Sequence, residues 1–276
     1  MPYDKLSELA RVRKYYSGDP RQKRFSALVT GETGSGKTFM LRTARKPVHI
    51  DSFDPGGSKC LAPWIKKGDV IVDSSWEAED PFAPDKFAEW MKSVDIRIQT
   101  GYFDMFGTYV IDSASTWGDA VMNYQLNLKG RAGESPKWSH DYVPQKNYMI
   151  NYIKKLMNLS CDFILTGHLR DIEETIGHNK AGEPIKRTKY RFLTTGQAVV
   201  TIPLQFDELY VIVGESSSSG VKRSMLIDSQ GTYIARSRLK SDGKLEATED
   251  PDIRKILKKI GLTWEDKTRL EAEESK

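Results

Sequence analysis

The sequence predicts an α/β fold built around a mostly parallel sheet, with a β-rich extension toward the C-terminus. Three observations carry that expectation. Short apolar runs alternate with helix-spaced segments through the first two thirds of the chain, the order expected of strands joined by crossover helices. Several of these runs end on a polar residue, where an open sheet gathers the groups that face a ligand. Strand signals then cluster between residues 198 and 235.

The elements follow in order. Residues 1–24 form a basic arm carrying Lys5, Arg11, Arg13, Lys14, Arg21, Lys23 and Arg24, with Leu6, Leu9 and Val12 at helical spacing. Such an arm either docks on a neighbouring subunit or its own core, or is a solvated helix. Residues 25–30 read as the first strand and 39–44 as the first helix. Strands follow at 47–51, ending in the turn 52–57, and at 69–73. Phe87, Trp90, Met91, Val94 and Ile98 place a helix over 84–100, and residues 108–112 form a fourth strand. A broad apolar face marks a helix over 148–159, and 161–166 is a fifth strand. The stretch 167–195 is polar and basic. Residues 198–204 and 208–213 carry further structure, and 224–228 with 232–235 read as a hairpin around Ser229-Gln230-Gly231. Ser216 to Gly220 is a flexible loop rather than a boundary, because strand signals continue on both sides. Residues 241–276 read as a charged, helical tail ending in Glu271, Glu273 and Glu274.

Between the first strand and first helix lies Gly31-Glu32-Thr33-Gly34-Ser35-Gly36-Lys37-Thr38, which fits G-x-x-x-x-G-K-[ST] at every fixed position. Glycines let the backbone turn tightly so that its N–H groups point at phosphate oxygens, and the helix N-terminus adds its dipole. Lys37 would reach the β- and γ-phosphates, and Thr38 would place its hydroxyl on Mg²⁺. The implied cofactors are ATP and Mg²⁺.

Bulk properties narrow the class. The chain has 276 residues and a net charge of +4, which does not demand nucleic acid but permits a local basic surface. Cys60 and Cys161 form no metal-binding or disulfide pattern. No apolar run is long enough to span a membrane and no signal-peptide core is present, so a cytoplasmic protein without membrane contact is expected.

Hydrolysis also requires a carboxylate for the metal and a group to orient water. Asp112 ends the apolar strand Tyr109-Val110-Ile111-Asp112 and is the Walker B candidate, sharing the Mg²⁺ with Thr38. Asp54 is a candidate to orient water; Asp51 competes with it, and Asp-Pro-Gly is also plain turn chemistry. Thr166 and His168 follow the fifth strand, where either could sense the γ-phosphate and report its loss to Arg170 and beyond. Lys180, Lys186, Arg187, Lys189 and Arg191 cluster around Tyr190 and Phe192. That mixture suits a nucleic-acid backbone with unstacked bases, a subunit interface, or a solvated hairpin. Lys129, Arg131, Lys137 and Lys146, with Trp117, Trp138 and Tyr142 nearby, mark a second polar loop.

Taken in order, Gly31–Thr38, Val110-Ile111-Asp112-Ser113 and Ile164-Leu165-Thr166-Gly167-His168 resemble the RecA-like ATPases of bacteriophages, a group of AAA-type and single-strand-annealing ATPases. Gln205-Phe206-Asp207-Glu208-Leu209-Tyr210 and Tyr233-Ile234-Ala235-Arg236-Ser237-Arg238 resemble later stretches of the same group. The resemblance implies a RecA-like ATPase domain over 25–240, working in phage DNA recombination, annealing or replication in the host cytoplasm. It implies DNA, single-stranded by preference, a homo-oligomer and a possible phage protein partner. It also implies that Arg236 and Arg238 lie near a nucleotide, in cis or across an interface; a surface strand with alternating arginines is the other reading. RecA-like proteins usually carry Glu after the second strand, so Asp54 departs from the pattern and leaves the water-positioning group open. Two other functions fit the loop: a nucleotide-driven assembly or packaging component, and a small-molecule phosphotransferase.

Overall fold

Strand residues in this chain alternate between two buried faces, and that alternation builds three layers. In the computed structural model, which describes residues 4–19, 23–137, 140–194, 198–217, 220–240 and 243–270, Leu28, Tyr109, Ile111, Phe163 and Leu165 face one core. Their neighbours Ala27, Val29, Val110 and Ile164 face the other. The strands are β1 (Ser26–Gly31), β2 (Val48–Ser52), β3 (Val70–Asp73), β4 (Thr108–Asp112), β5 (Asp162–His178), β6 (Pro184–Phe192), β7 (Glu208–Ser217), β8 (Gly220–Leu226), β9 (Arg236–Ser237) and β10 (Thr248–Glu249). The helices are α1 (Lys5–Gly18), α2 (Lys37–Met40), α3 (Ala62–Lys66), α4 (Lys86–Gln99), α5 (Ala114–Leu128), α6 (Tyr142–Leu156), α7 (Ala198–Thr201) and α8 (Ile253–Ile260).

The sheet runs β10-β8-β7-β1-β5-β4-β2-β3, with β6 on β5 and β9 on β7. Its six strands from β3 to β7 are parallel, and β8, β9 and β10 add antiparallel. Helices α4, α5 and α6 cover the first face through Phe87, Trp90, Trp117, Met149, Tyr152 and Ile153. Met40, Leu41 and α8 cover the second. The fold is therefore α/β with a mostly parallel sheet and a β-rich C-terminal extension. No helix among the described residues is long and apolar enough to cross a membrane.

Several expectations need correction. The helix after the loop is a single turn, Lys37–Met40, continued by a 3-10 turn at Leu41–Thr43; the Thr43 hydroxyl takes the Met40 carbonyl at 2.7 Å. The dipole of so short a helix is small, so anion binding rests on the loop's N–H groups. The hairpin lies one strand earlier than expected: β8 pairs with β7, not with residues 232–235. There the Ser229 side chain replaces a ladder, accepting from Ala235 N at 3.2 Å and donating to Ala235 O at 2.9 Å. Helix α5 escaped the sequence reading, and α6 starts at Tyr142 rather than 148.

The stretch 167–195 is largely a hairpin. β5 continues past its parallel half and pairs with β6 from Leu169 to His178. Among the described residues the tail is helical only at α8, capped by Asp252 and closed by Gly261 at φ 75°. Ile253, Ile256 and Leu257 bury it in the second core. The chain then returns past the starts of β2, β3 and β4, where Lys267 N donates to the Lys46 carbonyl and Arg269 pairs with Asp69 at 2.6 Å. Glu271, Glu273 and Glu274 lie outside the described residues. Helix α1 has no buried residue, and Leu6, Val12, Tyr15 and Tyr16 are exposed.

Candidate functional site

The site is built where β1, β4 and the parallel half of β5 end and β2 turns. β1 leads into Gly31, whose missing side chain is a packing requirement: a Cβ there would meet Ser35 Oγ at 2.5 Å and the Ile212 carbonyl of β7 at 2.7 Å. Gly34 and Gly36 take φ of 78° and 102°, a region that disfavours side chains. Between them the chain folds over Lys37, which is buried. Its Nζ donates to the Gly31 carbonyl at 3.0 Å and the Glu32 carbonyl at 2.9 Å. Burial pushes the Lys37 pKa down, against the pull of Asp112 and Asp54.

Thr38 and Asp112 come together across the sheet. The Thr38 hydroxyl donates to Asp112 Oδ2 at 2.8 Å. Thr166, at the end of the parallel half of β5, donates to Asp112 Oδ1. Burial raises the Asp112 pKa; the Thr166 and Thr38 hydrogen bonds oppose that, and the Asp54 charge reinforces it. A hydroxyl and a carboxylate are the hard oxygen donors that Mg²⁺ takes beside phosphate, so these residues fit the ion.

Asp54 and Asp51 separate cleanly. The turn after β2 hangs on β4: Phe53 N and Asp54 N donate to the Asp112 carbonyl at 2.6 and 3.2 Å. Asp54 accepts from Ser113 Oγ at 2.9 Å and Thr116 Oγ1 at 2.6 Å, and its Oδ2 lies 3.1 Å from His168 Nε2. Burial would raise its pKa, but the bonds from His168, Thr116 and Ser113 outweigh that and hold it low. Asp54 is thus poised as an ionised acceptor with His168 beside it. Asp51 lies inside the core, accepting from Trp90 Nε1 at 2.8 Å, Arg97 at 3.0 Å and Tyr109, with His49 alongside. Its role is structural. Asp51→Ala leaves Trp90 Nε1–H and the Tyr109 hydroxyl without their acceptor in the core and takes one of two carboxylates from Arg97, which keeps Asp73 at 2.6 Å, so we expect a loss of about 2–5 kcal/mol in urea unfolding, with nucleotide affinity per folded molecule unchanged.

The remaining residues fall elsewhere. β9 pairs with the start of β7, Leu209 with Arg236 and Glu208 with Ser237, and Glu208 sits beside Ala27 of β1. Arg236 and Arg238 therefore sit at the end of the sheet opposite the loop. Arg236 binds the Pro203 and Phe206 carbonyls. Arg238 pairs with Asp207 at 3.0 Å and lines a cavity of about 670 Å³ with Arg24 and Lys154. The structure does not bring either arginine to the loop of its own chain. Lys186, Arg187, Lys189 and Arg191 lie along β6. Lys186 pairs with Glu173 at 2.7 Å, Lys189 and Arg191 with Glu174 at 2.6 and 3.6 Å, and Arg187 donates to the Gly231 carbonyl. Tyr190 stacks on Tyr233 with ring centroids 4.8 Å apart, and Phe192 is buried. In the second polar loop, Lys129 and Arg131 both bind the buried Asp141, and Trp117 is core. Trp138 lies outside the described residues.

Three neighbours of the site escaped the sequence reading. Glu77 pins the turn that presents Asp54, accepting from Ser52 Oγ at 2.6 Å and Gly56 N at 3.0 Å. Thr116 and Arg223 are the others. None stands in a motif, and each reaches the site only through the fold.

Comparison with known proteins gives the family of the chain. The AAA domain family matches residues 23–239, well over half of the chain. No curated protein sequence matches. Among solved structures, a KaiC-like protein from the hyperthermophilic archaeon Pyrococcus horikoshii OT3 is 14% identical, with a TM-score of 0.38 over 73% of this chain and 77% of that one. Because the family match takes in the phosphate loop and the strand ends that close around it, this chain belongs to the AAA domain family and is a nucleotide-binding P-loop ATPase.

Proposed function

We propose that this ATPase hydrolyses ATP with Mg²⁺ to act on DNA, single strands by preference, in recombination, annealing or replication of the kind bacteriophages carry out, and that it works as a homo-oligomer. Thr38 and Asp112 would hold the ion, which supplies charge neutralisation at the transferred phosphoryl group when bound. Lys37 would bind the β- and γ-phosphates, and Asp54, held ionised, would orient the attacking water. His168 would keep Asp54 oriented.

The single observation behind the DNA reading is the continuity of β5. One strand carries Thr166 and His168 at the site and then runs into the hairpin whose other arm bears Lys186, Arg187, Lys189 and Arg191. A ligand that grips that hairpin is mechanically joined to the groups around the γ-phosphate. Because Tyr190 and Phe192 are already packed, the support is for contact with the sugar-phosphate backbone rather than for base stacking. A second reading, a protein-binding assembly component, draws on Ile176 and Ile185, two exposed apolar residues of the same hairpin.

The test is ATPase activity with and without single-stranded DNA across a salt series, beside a sizing measurement. Binding that weakens steeply with salt supports the DNA reading. Replacing Lys186, Arg187 and Lys189 with Ala should then flatten the log–log salt slope by about 2, at roughly 0.7 per lost phosphate contact. Oligomers that dissociate in that variant while DNA affinity holds would favour the interface reading. ADP release only with a small acceptor would favour a phosphotransferase.

A further inference from the structure

We propose that Arg223, carried by β8, is a nucleotide-binding residue that contacts the α- and β-phosphates from within the same chain. The proposal deepens the ATPase reading and rests on it. Arg223 Nε donates to the Ser35 carbonyl at 3.0 Å. Its stem lies against the crest of the loop: a Cβ built on Gly36 would fall 2.9 Å from Arg223 Cδ and 3.0 Å from Nε. Gly36 is thus required by its φ of 102°, and a side chain there would also displace the arginine above it.

The reach has a structural cause. β8 is separated from β1 by β7, so its side chains must cross one strand, about 4.8 Å wide in the pairing direction, to touch the loop. Directly opposite Arg223 in the β7–β8 register stands Gly214. Opposed residues of an antiparallel pair share a face; the space above Gly214 is held by Val221 Cγ1, 3.1 Å from where a Cβ would stand, and the arginine stem passes clear of that position.

Charge and chemistry then say what the guanidinium is for. Arg97, Arg131, Arg238 and Arg254 each have a carboxylate within ion-pair distance. Among the described residues Arg223 has none, and its bond to Ser35 uses one of five N–H donors. The rest belong to a planar fork matched to two phosphate oxygens. The loop backbone at this point cradles the α- and β-phosphates. Lys37 works from below, with Nζ at the Gly31 and Glu32 carbonyls, at the β,γ end. The two cations divide the triphosphate between them.

That division separates Arg223 from a group acting on the transferred phosphoryl. Arg223→Ala should weaken ADP and ATP alike, by about tenfold or more for a lost charge-assisted pair. At saturating ATP its kcat should stay within about twofold of the parent. Arg223→Lys, which keeps the charge but loses the fork, should fall between. The measurement is direct binding of fluorescent ADP and ATP, with steady-state kinetics and a nucleotide-free melting curve to show that each variant folds. Equal losses for both nucleotides support the proposal. A parent that binds both nucleotides and an Arg223→Ala variant that binds them as tightly overturn it alone, as does a variant that loses kcat with both affinities intact. A parent that binds neither overturns the ATPase reading itself.

Discussion

Lys37→Ala is expected to lower ATP turnover by about 100- to 1,000-fold or more, the loss seen when a preorganised donor to a transition-state oxyanion is removed. The folded chain should survive the change. Lys37 is buried, and burial already pushes its pKa down, so the chain keeps an ammonium there at some cost. Its two bonds are to backbone carbonyls of the loop itself. Phosphate oxygens would take over as partners of Nζ, so its contribution grows when nucleotide arrives and grows further as charge moves onto the γ-phosphoryl oxygens. Steady-state hydrolysis and direct ATP binding, run beside a melting curve, check this; turnover near the parent rate would remove Lys37 from the chemistry.

Asp112→Asn is the second large effect, and it splits activity from stability. Turnover should fall by about 100-fold or more, with the Mg²⁺ requirement moved to higher concentration, because a neutral amide is a poor ligand for a hard cation. Stability should move the other way. Burial raises the Asp112 pKa in the folded chain, with the Asp54 charge adding to it and the threonine hydroxyls opposing it. Between its unfolded and folded values the native state binds more protons than the unfolded state. Stability is therefore lost as pH rises through that window and stays lost above it. An Asn never ionises. The nucleotide-free variant should melt at or above the parent temperature at neutral pH, with a flatter acid-side dependence. A variant that melts lower at neutral pH while hydrolysing normally would contradict both halves of the argument.

What the sequence made legible follows from where the chemistry sits on the chain. Gly31 to Thr38 is one contiguous device, and Asp112 ends a strand whose apolar neighbours announce it, so both were readable residue by residue. Asp54 and Asp51 were not separable in advance. They stand three positions apart, and only the burial of Asp51 among Trp90, Tyr109 and Arg97 assigns it to the core. Arg223, Glu77 and Thr116 reach the site from separate elements, and no spacing rule links them to it. The hairpin was hidden for a different reason. The apolar signal of β5 stops near Thr166 because the strand leaves the core there, and beyond it partly exposed residues alternate with exposed ones. A strand that is wet on both sides carries no alternation of hydrophobicity to read. Helix α5 was masked by Ser115, Thr116, Gly118 and Asn123, weak helix formers that its packing against the sheet overrides.

The length of β5 past the core turns it into a pointer. From His168 to His178 the strand extends ten residues, about 33 Å at the rise of an extended chain. A tilt of only about 5° at the base would sweep the far end through roughly 3 Å. Were loss of a phosphate near Thr166 to tilt the strand by that much, whatever rests on the tip would shift by about 3 Å.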